Sequence, residues 1–319
     1  MSFKELRPVI GISSCLMGKD VRYDGDNKLD PELMHAWGPH VEWVGVCPEA
    51  EVGMGVPREP VGLRAASSST LESAVLGPLM IGNTSGEDWT DRMNTYAARR
   101  AEELAGRELW GYVVKARSPS CGPLVDVQGG PKAAGLFTAA LAKRLPFLPI
   151  ADEEELANPE RRDAFIRRVF AYQRLRWFFS KDRSVGQLVM FHSQSRLELN
   201  VHSRKAFKEL SELIDNSRDM PWDELSASYQ EGFTHAMLAK PTRAKHQSAL
   251  QHVATKLDLT TEQKEDLDTA IGDYANARVP LLQPLAIAIH YVATQQTPSL
   301  DGQSYLDPHP AMLSMLNHA

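Results

Sequence analysis

Residues 109–122 read "LWGYVVKARSPSCG": an apolar run, a short cationic segment, then a cysteine among serines, a proline and a glycine. A short apolar run rich in aromatic and β-branched residues reads as a buried strand. Proline and glycine punctuate regular structure, so "RSPSCG" reads as a tight loop leaving that strand. Such a loop suits a ligand or a nucleophile better than an inert core thiol. The arrangement occurs twice more: "PVIGISSC" ends on Cys15 and "VEWVGVC" ends on Cys47. With Cys121 these are the 3 cysteines of the 319-residue chain, so the last 198 residues contain none.

Helical signals lie between the strand-like runs. Residues 91–105 place Met93, Tyr96, Ala97, Ala101 and Leu104 at helical spacing, with Asp88 or Thr90 as the capping residue. Residues 131–145 open on a proline and carry Leu136, Ala139, Ala140 and Leu145. Strands alternating with helices predict an α/β domain with a Rossmann-like parallel sheet over residues 1–158. Ligands of such sheets gather beyond the carboxyl ends of the strands, so the three cysteines are expected on one edge.

Taken one at a time, a cysteine is as readily a small buried hydrophobe. Taken together, three thiolates select a soft metal centre. Structural zinc favours four ligands, often in C-x-x-C pairs, and no such pair exists here. A 4Fe–4S cluster held by Cys15, Cys47 and Cys121 fits better and leaves one iron open, which a purely electron-transferring cluster does not need. Glu49 follows Cys47 by two residues, and Ser118 and Ser120 precede Cys121. A carboxylate beside such a centre can move a proton, and seryl hydroxyls can hold a substrate or relay that proton. Glu49 and Glu51 read equally well as solvated loop charges, and the serines as local backbone caps. "CLMGKDVRYDG" adds Lys19, Arg22, Tyr23 and Asp24 as substrate-binding candidates, and "VPREP" adds Arg58 for an anionic group.

"SSCLMGKDVRYDG", "VCPEAEVGMGVPR", "GEDWT" and "ARSPSCG" together resemble the thiouracil desulfidase family, over roughly the first 155 residues. The resemblance implies a non-redox iron–sulfur enzyme that removes sulfur from thiolated uracils. It implies that Cys15, Cys47 and Cys121 bind the 4Fe–4S cluster. It also implies catalytic roles for Glu49 and a serine of "RSPSC", Ser118 first and Ser120 second. The substrate would be a small thiolated pyrimidine, as base, nucleoside or nucleotide, some carrying a phosphate. Residues 185–319 resemble the uncharacterised YbgA-type domain through "KPTRAKHQSALQH", "VPLLQPLAIAIHY" and "QSYLDPHP". The pairing resembles fused desulfidases acting on thiouridine derivatives, a role in the breakdown of nucleotides derived from transfer RNA. "FHSQSRLELNVHS" departs from the more basic, histidine-rich pattern of that domain.

An all-α bundle is expected over 159–319. Phe165, Val169, Tyr172, Leu175 and Phe179 form one helical stripe, and further helices are expected at 183–214, 222–240, 242–256, 260–275 and 280–294. Thr260 or Thr261 ahead of Glu262 and Gln263 marks one helix start. Residues 161–208 hold twelve Lys/Arg against three Asp/Glu in a chain of net charge −6. That imbalance reads either as a solvated helix face or as attraction for a phosphate or RNA. His235, His246, His252 and His290 read as packed or capping residues. No secretory signal or membrane-spanning run is visible, and a cytoplasmic protein is expected. The competing reading is a non-enzymatic RNA- or protein-binding module with a structural or redox-sensing metal centre. Oligomeric state has no signature in the sequence.

Overall fold

The computed structural model describes residues 7–66, 77–181, 184–295 and 297–308. Residues 1–6, from which the absence of a signal was partly read, lie outside the described residues, as do 309 and 310 of "QSYLDPHP". The chain forms two compact units, Met1–Phe165 and Ile166–Ala319, and the division falls inside the helix Pro159–Phe179.

The first unit is built on a four-stranded sheet. Its strands are β1 (Val9–Ser13), β2 (Glu42–Val46), β5 (Gly111–Val114) and β7 (Ile150–Asp152), in the order β2-β1-β5-β7. Every pairing is parallel. β1 and β5 are buried nearly throughout, which explains why they read as continuous apolar runs rather than alternating ones. Gly11 lies against the Tyr112 ring of the neighbouring strand, and an added Cβ would stand 2.1 Å from it. The strand order reverses at β1, with β2 on one side and β5 on the other. That reversal opens a crevice at the carboxyl edge.

The helix Thr90–Ala105 buries Met93, Tyr96, Ala97, Ala101 and Leu104, the stripe expected from sequence. Asp88 accepts the Thr90 N–H at 2.9 Å, whereas the Thr90 hydroxyl accepts the N–H of Met80. The second helix is shorter than expected, Leu136–Arg144 rather than 131–145. Ala133 is held in a bridge with Val125, so the chain stays extended until Gly135. The later start changes the buried face to Leu136, Phe137, Thr138 and Leu141, leaving Ala139 exposed. A three-stranded sheet that sequence reading did not separate also belongs to this unit: β3 (Val61–Arg64), β4 (Leu79–Gly82) and β6 (Val127–Gln128) in the order β4-β3-β6.

The second unit is helical. Its helices are Val185–Gln194, Arg196–Asp215, Trp222–Leu238, Arg243–Ala254, Thr261–Ala275 and Leu282–Gln295, after the end of Pro159–Phe179. Two apolar clusters hold them. One gathers Leu175, Leu188, Leu210, Tyr229 and Phe233. The other gathers Val201, Leu250, Leu267, Ala288 and Tyr305. The single helix expected at 183–214 is two helices broken at the buried Ser195. Gln303 explains the break: its side chain donates to the Ser193 carbonyl at 2.9 Å and accepts from the Leu197 N–H at 3.3 Å. Residue 183 lies outside the described residues; Ser184 starts the first of these helices with a capping box to Gln187. Thr260 caps its helix in the same way through Gln263.

Candidate functional site

Each cysteine leaves the carboxyl end of a different parallel strand. β1 runs into a 3₁₀ turn, Ser14–Met17, that carries Cys15 and is closed by Gly18 in the left-handed region, φ 82°. β2 runs directly into Cys47, which is extended and precedes the helical turn Pro48–Glu51. Proline at the first helical position fixes where that turn begins. β5 is followed by Lys115, Ala116 and Arg117 at φ 59°, and then by the loop ending in Cys121.

The Cys121 loop is pinned from both sides. The Gly122 N–H bonds the Ser118 carbonyl at 2.7 Å, and the Cys121 N–H bonds the Ser118 hydroxyl at 3.2 Å. The first N–H groups of the helix Leu136–Arg144 need acceptors outside the helix. They find them on this loop: Leu136 N to Pro119 O at 3.2 Å and Phe137 N to Ser120 O at 3.0 Å. The Thr138 hydroxyl bonds the Cys121 carbonyl. Gly135 makes the approach feasible, since a Cβ there would lie 2.5 Å from the Ser120 carbonyl carbon.

All three thiols line one cavity of about 410 Å³, which also receives Glu49, Ser118, Ser120 and Arg58. Cys121 is buried, and Cys15 and Cys47 are half-buried. Burial, and then the neighbouring Cys47, push the Cys15 thiol up to about 11. Burial pushes Cys121 up to about 12 and raises Cys47 as well. A metal centre here must displace thiol protons on binding. Among the described residues no three His, Cys, Asp or Glu side chains converge on a point that could hold a single metal ion. Three cysteine thiols lining one cavity are the soft donor set that a thiolate-bound metal centre would use.

Glu49 is the carboxylate of this cavity. Arg58 grips its Oε2 through Nε at 3.1 Å and Nη2 at 2.7 Å. The other oxygen, Oε1, accepts from the Ser120 hydroxyl at 2.6 Å and, at 3.4 Å, from Ser118. The two serine hydroxyls stand 3.0 Å apart. Ser120 spends its one hydroxyl hydrogen on Glu49, so across the 3.0 Å serine pair Ser118 donates and Ser120 accepts, while Ser118 accepts from the Cys121 N–H. Polarity therefore runs from the Cys121 backbone through two hydroxyls to one carboxylate.

Glu51 faces elsewhere. Its oxygens take the Cys47 N–H at 3.0 Å, the Tyr96 hydroxyl at 2.7 Å and Arg100 at 3.3 Å. Residues two apart on a helical turn point to nearly opposite sides, because each step rotates about 100°. The turn Pro48–Glu51 thus separates the two carboxylates of "CPEAE".

Of the substrate-binding candidates, Arg22, Tyr23 and Arg58 line the cavity, and Lys19 and Asp24 do not. Arg22 pairs with Asp24 at 3.0 Å and sits over the exposed Tyr23 ring at 5.2 Å. Arg58 also donates Nη1 to the carbonyls of Val21 at 3.0 Å and Gly55 at 2.9 Å. Its side chain is 6% exposed and is committed to Glu49 and these carbonyls. Sequence reading missed Lys28 and Lys115, which also line the cavity. Lys115 pairs with Glu153, the residue after β7. For Lys115 and Glu153 the available signal was position, since each directly follows a strand of the same sheet; Lys28 follows no strand and gave no such signal.

Both halves of the chain resemble known families. Residues 10–153 match the family model described as 2-thiouracil desulfurase, and residues 196–310 match a family of unknown function, DUF1722. The uncharacterised protein YbbK of Bacillus subtilis is 31% identical over 150 residues, which are 46% of this chain and 97% of YbbK. A solved structure described as a 4Fe–4S-dependent thiouracil desulfidase, TudS, is 26% identical. It covers 47% of this chain and 93% of its own, at a TM-score of 0.37.

Proposed function

The chain belongs to the 2-thiouracil desulfurase family through residues 10–153, and from that premise we propose that it is an iron–sulfur-dependent, non-redox desulfidase of thiolated uracil compounds. The observation that carries the proposal is the meeting of three thiols with the Glu49–Ser120–Ser118 chain in one cavity. Cys15, Cys47 and Cys121 would hold a 4Fe–4S cluster, the chain offering no fourth cysteine. When bound, such a centre supplies an open iron as a Lewis acid for the substrate sulfur.

The protein's own groups do the proton work. Replacing sulfur by oxygen consumes one water: the water oxygen bonds to the ring carbon, the C–S bond breaks, and sulfur leaves with its electron pair as sulfide. No net oxidation occurs, so no reductant is consumed. Glu49 accepts one water proton at Oε1, the oxygen that faces the serines, and returns it to the departing sulfur; the second water proton leaves with the sulfur too, giving the oxo ring and hydrogen sulfide. Ser120 and Ser118 fix that oxygen and orient the incoming water. Arg58 grips Oε2 through two N–H groups and so keeps the carboxylate aligned. Tyr23, 41% exposed beside the cavity, offers a flat face for a pyrimidine ring.

The test is sulfide release from 2-thiouracil and 4-thiouracil by full-length protein purified without oxygen. Turnover without added reductant is expected, together with loss of bound iron in C15A, C47A and C121A. A folded, iron-free protein that turns over would overturn the metal assignment. Iron-loaded protein that releases no sulfide from either compound would overturn the activity.

A further inference from the structure

A second cavity, of about 490 Å³, lies wholly within the helical unit. Two helices form its walls. Arg196 and Asn200, four residues apart, project from the start of Arg196–Asp215, with Arg204 one further step along. Lys245, Ser248 and His252 share one face of Arg243–Ala254. The floor is apolar: Leu197, Val201 and Ala249 are buried. No aspartate or glutamate is among the lining residues.

The backbone is shaped to hold these groups. Ser203 leaves the helical region, at φ −151° and ψ 102°, between Asn200 and Arg204. The break frees the His202 carbonyl, and Lys245 donates to it at 2.6 Å, tying the two walls together. Lys245 keeps two further N–H donors for the cavity. Asn200 spends its amide on the Arg196 carbonyl at 2.7 Å. His252 is held below its usual value by burial and by the Arg196 and Lys256 charges, which marks the positive potential there. Gathering like charges in a concavity without a carboxylate costs stability unless an anion completes the set.

We propose that this cavity is a binding site for a phosphate group, with Arg196, Arg204 and Lys245 as charge-assisted donors and His252 as a hydrogen-bonding wall; the Ser248 hydroxyl lines the cavity but donates to the Ala244 carbonyl at 2.9 Å. Arginine and lysine with apolar backing are the donor chemistry for phosphate oxygens. The site stands independently of the desulfidase reading. Its ligand would be either a phosphomonoester or a phosphodiester of a polynucleotide, which share this chemistry.

The experiment is calorimetric titration of the full chain with four probes: inorganic phosphate, uridine 5′-monophosphate, uridine, and an oligouridylate lacking terminal phosphates. Saturable binding of the phosphate-bearing probes but not of uridine is expected. R196Q and R204Q should each weaken it about tenfold or more, as loss of a charge-assisted bond implies. K208Q changes an exposed lysine that pairs with Glu212 on the same helix, outside the cavity, and should bind as the parent does. Equal circular dichroism of the three variants keeps folding out of the comparison. Uridine 5′-monophosphate binding assigns a monoester; oligouridylate binding without it assigns a diester. Absence of saturable binding by all phosphate probes, or binding untouched by R196Q and R204Q, overturns the site. So does an equal loss in K208Q. Because binding is read without turnover, the outcome does not depend on the sulfide assay.

Discussion

At the scale of the residue, Glu49 is defined by what holds each of its oxygens. Oε2 belongs to Arg58, and Oε1, which accepts from Ser120, is the oxygen that the proposed proton transfer would use. Glu49→Gln keeps the shape and removes the charge and the basic oxygen. Turnover should fall about 10²–10⁴-fold, the usual contribution of a general acid–base group, with bound iron unchanged. Glu51→Gln is the matched control. The Glu51 oxygens hold Tyr96, Arg100 and the backbone N–H of Cys47, and a glutamine oxygen can still accept from that N–H, so at equal iron content its turnover should stay within about threefold of the parent, a difference of under ~1 kcal/mol. Collapse in Glu51→Gln with normal turnover in Glu49→Gln would exchange their roles. Arg58 divides two readings in the same assay. As the positioning partner of Glu49, its loss in Arg58→Gln should lower kcat with KM little changed. A raised KM at unchanged kcat would instead return Arg58 to the substrate anion, as sequence first suggested.

At the scale of the element, the site depends on a helix end meeting a loop. The strands before Cys15, Cys47 and Cys121 were legible because buried parallel strands carry continuous apolar runs, and the turns after them carry glycine and proline. The start of the second helix was not. Pro131 looks like a first helical residue, yet the backbone of Ala133 is committed to Val125, a contact between residues that no local periodicity encodes. The same holds for Lys115 and Glu153, which meet only because β5 and β7 are neighbours. The two hydroxyls of "RSPSC" were legible as candidates, but their order along the hydrogen-bond chain was not. It is set by the Cys121 N–H and by which serine reaches Glu49 across the strands. Gly135→Ala tests the junction. The added Cβ would meet the Ser120 carbonyl carbon at 2.5 Å and its oxygen at 2.6 Å, so the loop or the helix start must shift. A loss of about 1–3 kcal/mol in urea unfolding is expected, the usual cost of overpacking, with lower iron retention. Unchanged stability and iron content would mean that the junction relaxes freely and does not position Cys121.

At the scale of the whole molecule, the two units divide the chemistry: the thiols lie in the first, and the histidines read as packing residues concentrate in the second. His192 shows how such a histidine couples stability to pH. It is 7% exposed, with Nδ1 3.0 Å from the Tyr229 hydroxyl and Nε2 2.9 Å from that of Ser211. Burial holds it down at about 4 against an ordinary 6.5. The folded helical unit therefore disfavours the protonated ring relative to the unfolded chain. Its contribution is fully present above pH 6.5 and is lost as pH falls from 6.5 towards 4. Linkage over that interval amounts to about 3 kcal/mol, of which roughly 2 is lost by pH 5. Glu198, buried beside His202, has a different window. Burial alone would raise it, but the His202 hydrogen bond and the Arg167 and Arg174 charges outweigh burial and hold it at about 2. Its contribution persists above about 4.5 and is lost only as pH falls further towards 2. The two groups are thus separable at pH 5, where His192 has begun to destabilise the unit and Glu198 has not. Urea unfolding of the full chain, followed by far-ultraviolet circular dichroism between pH 7.5 and 5, should show the helical transition moving to lower urea. His192→Gln keeps hydrogen-bonding groups at the position and removes the titration. It should lower stability at pH 7.5 yet flatten the slope between 7.5 and 5. A slope unchanged in His192→Gln would assign the acid sensitivity of this unit to another group.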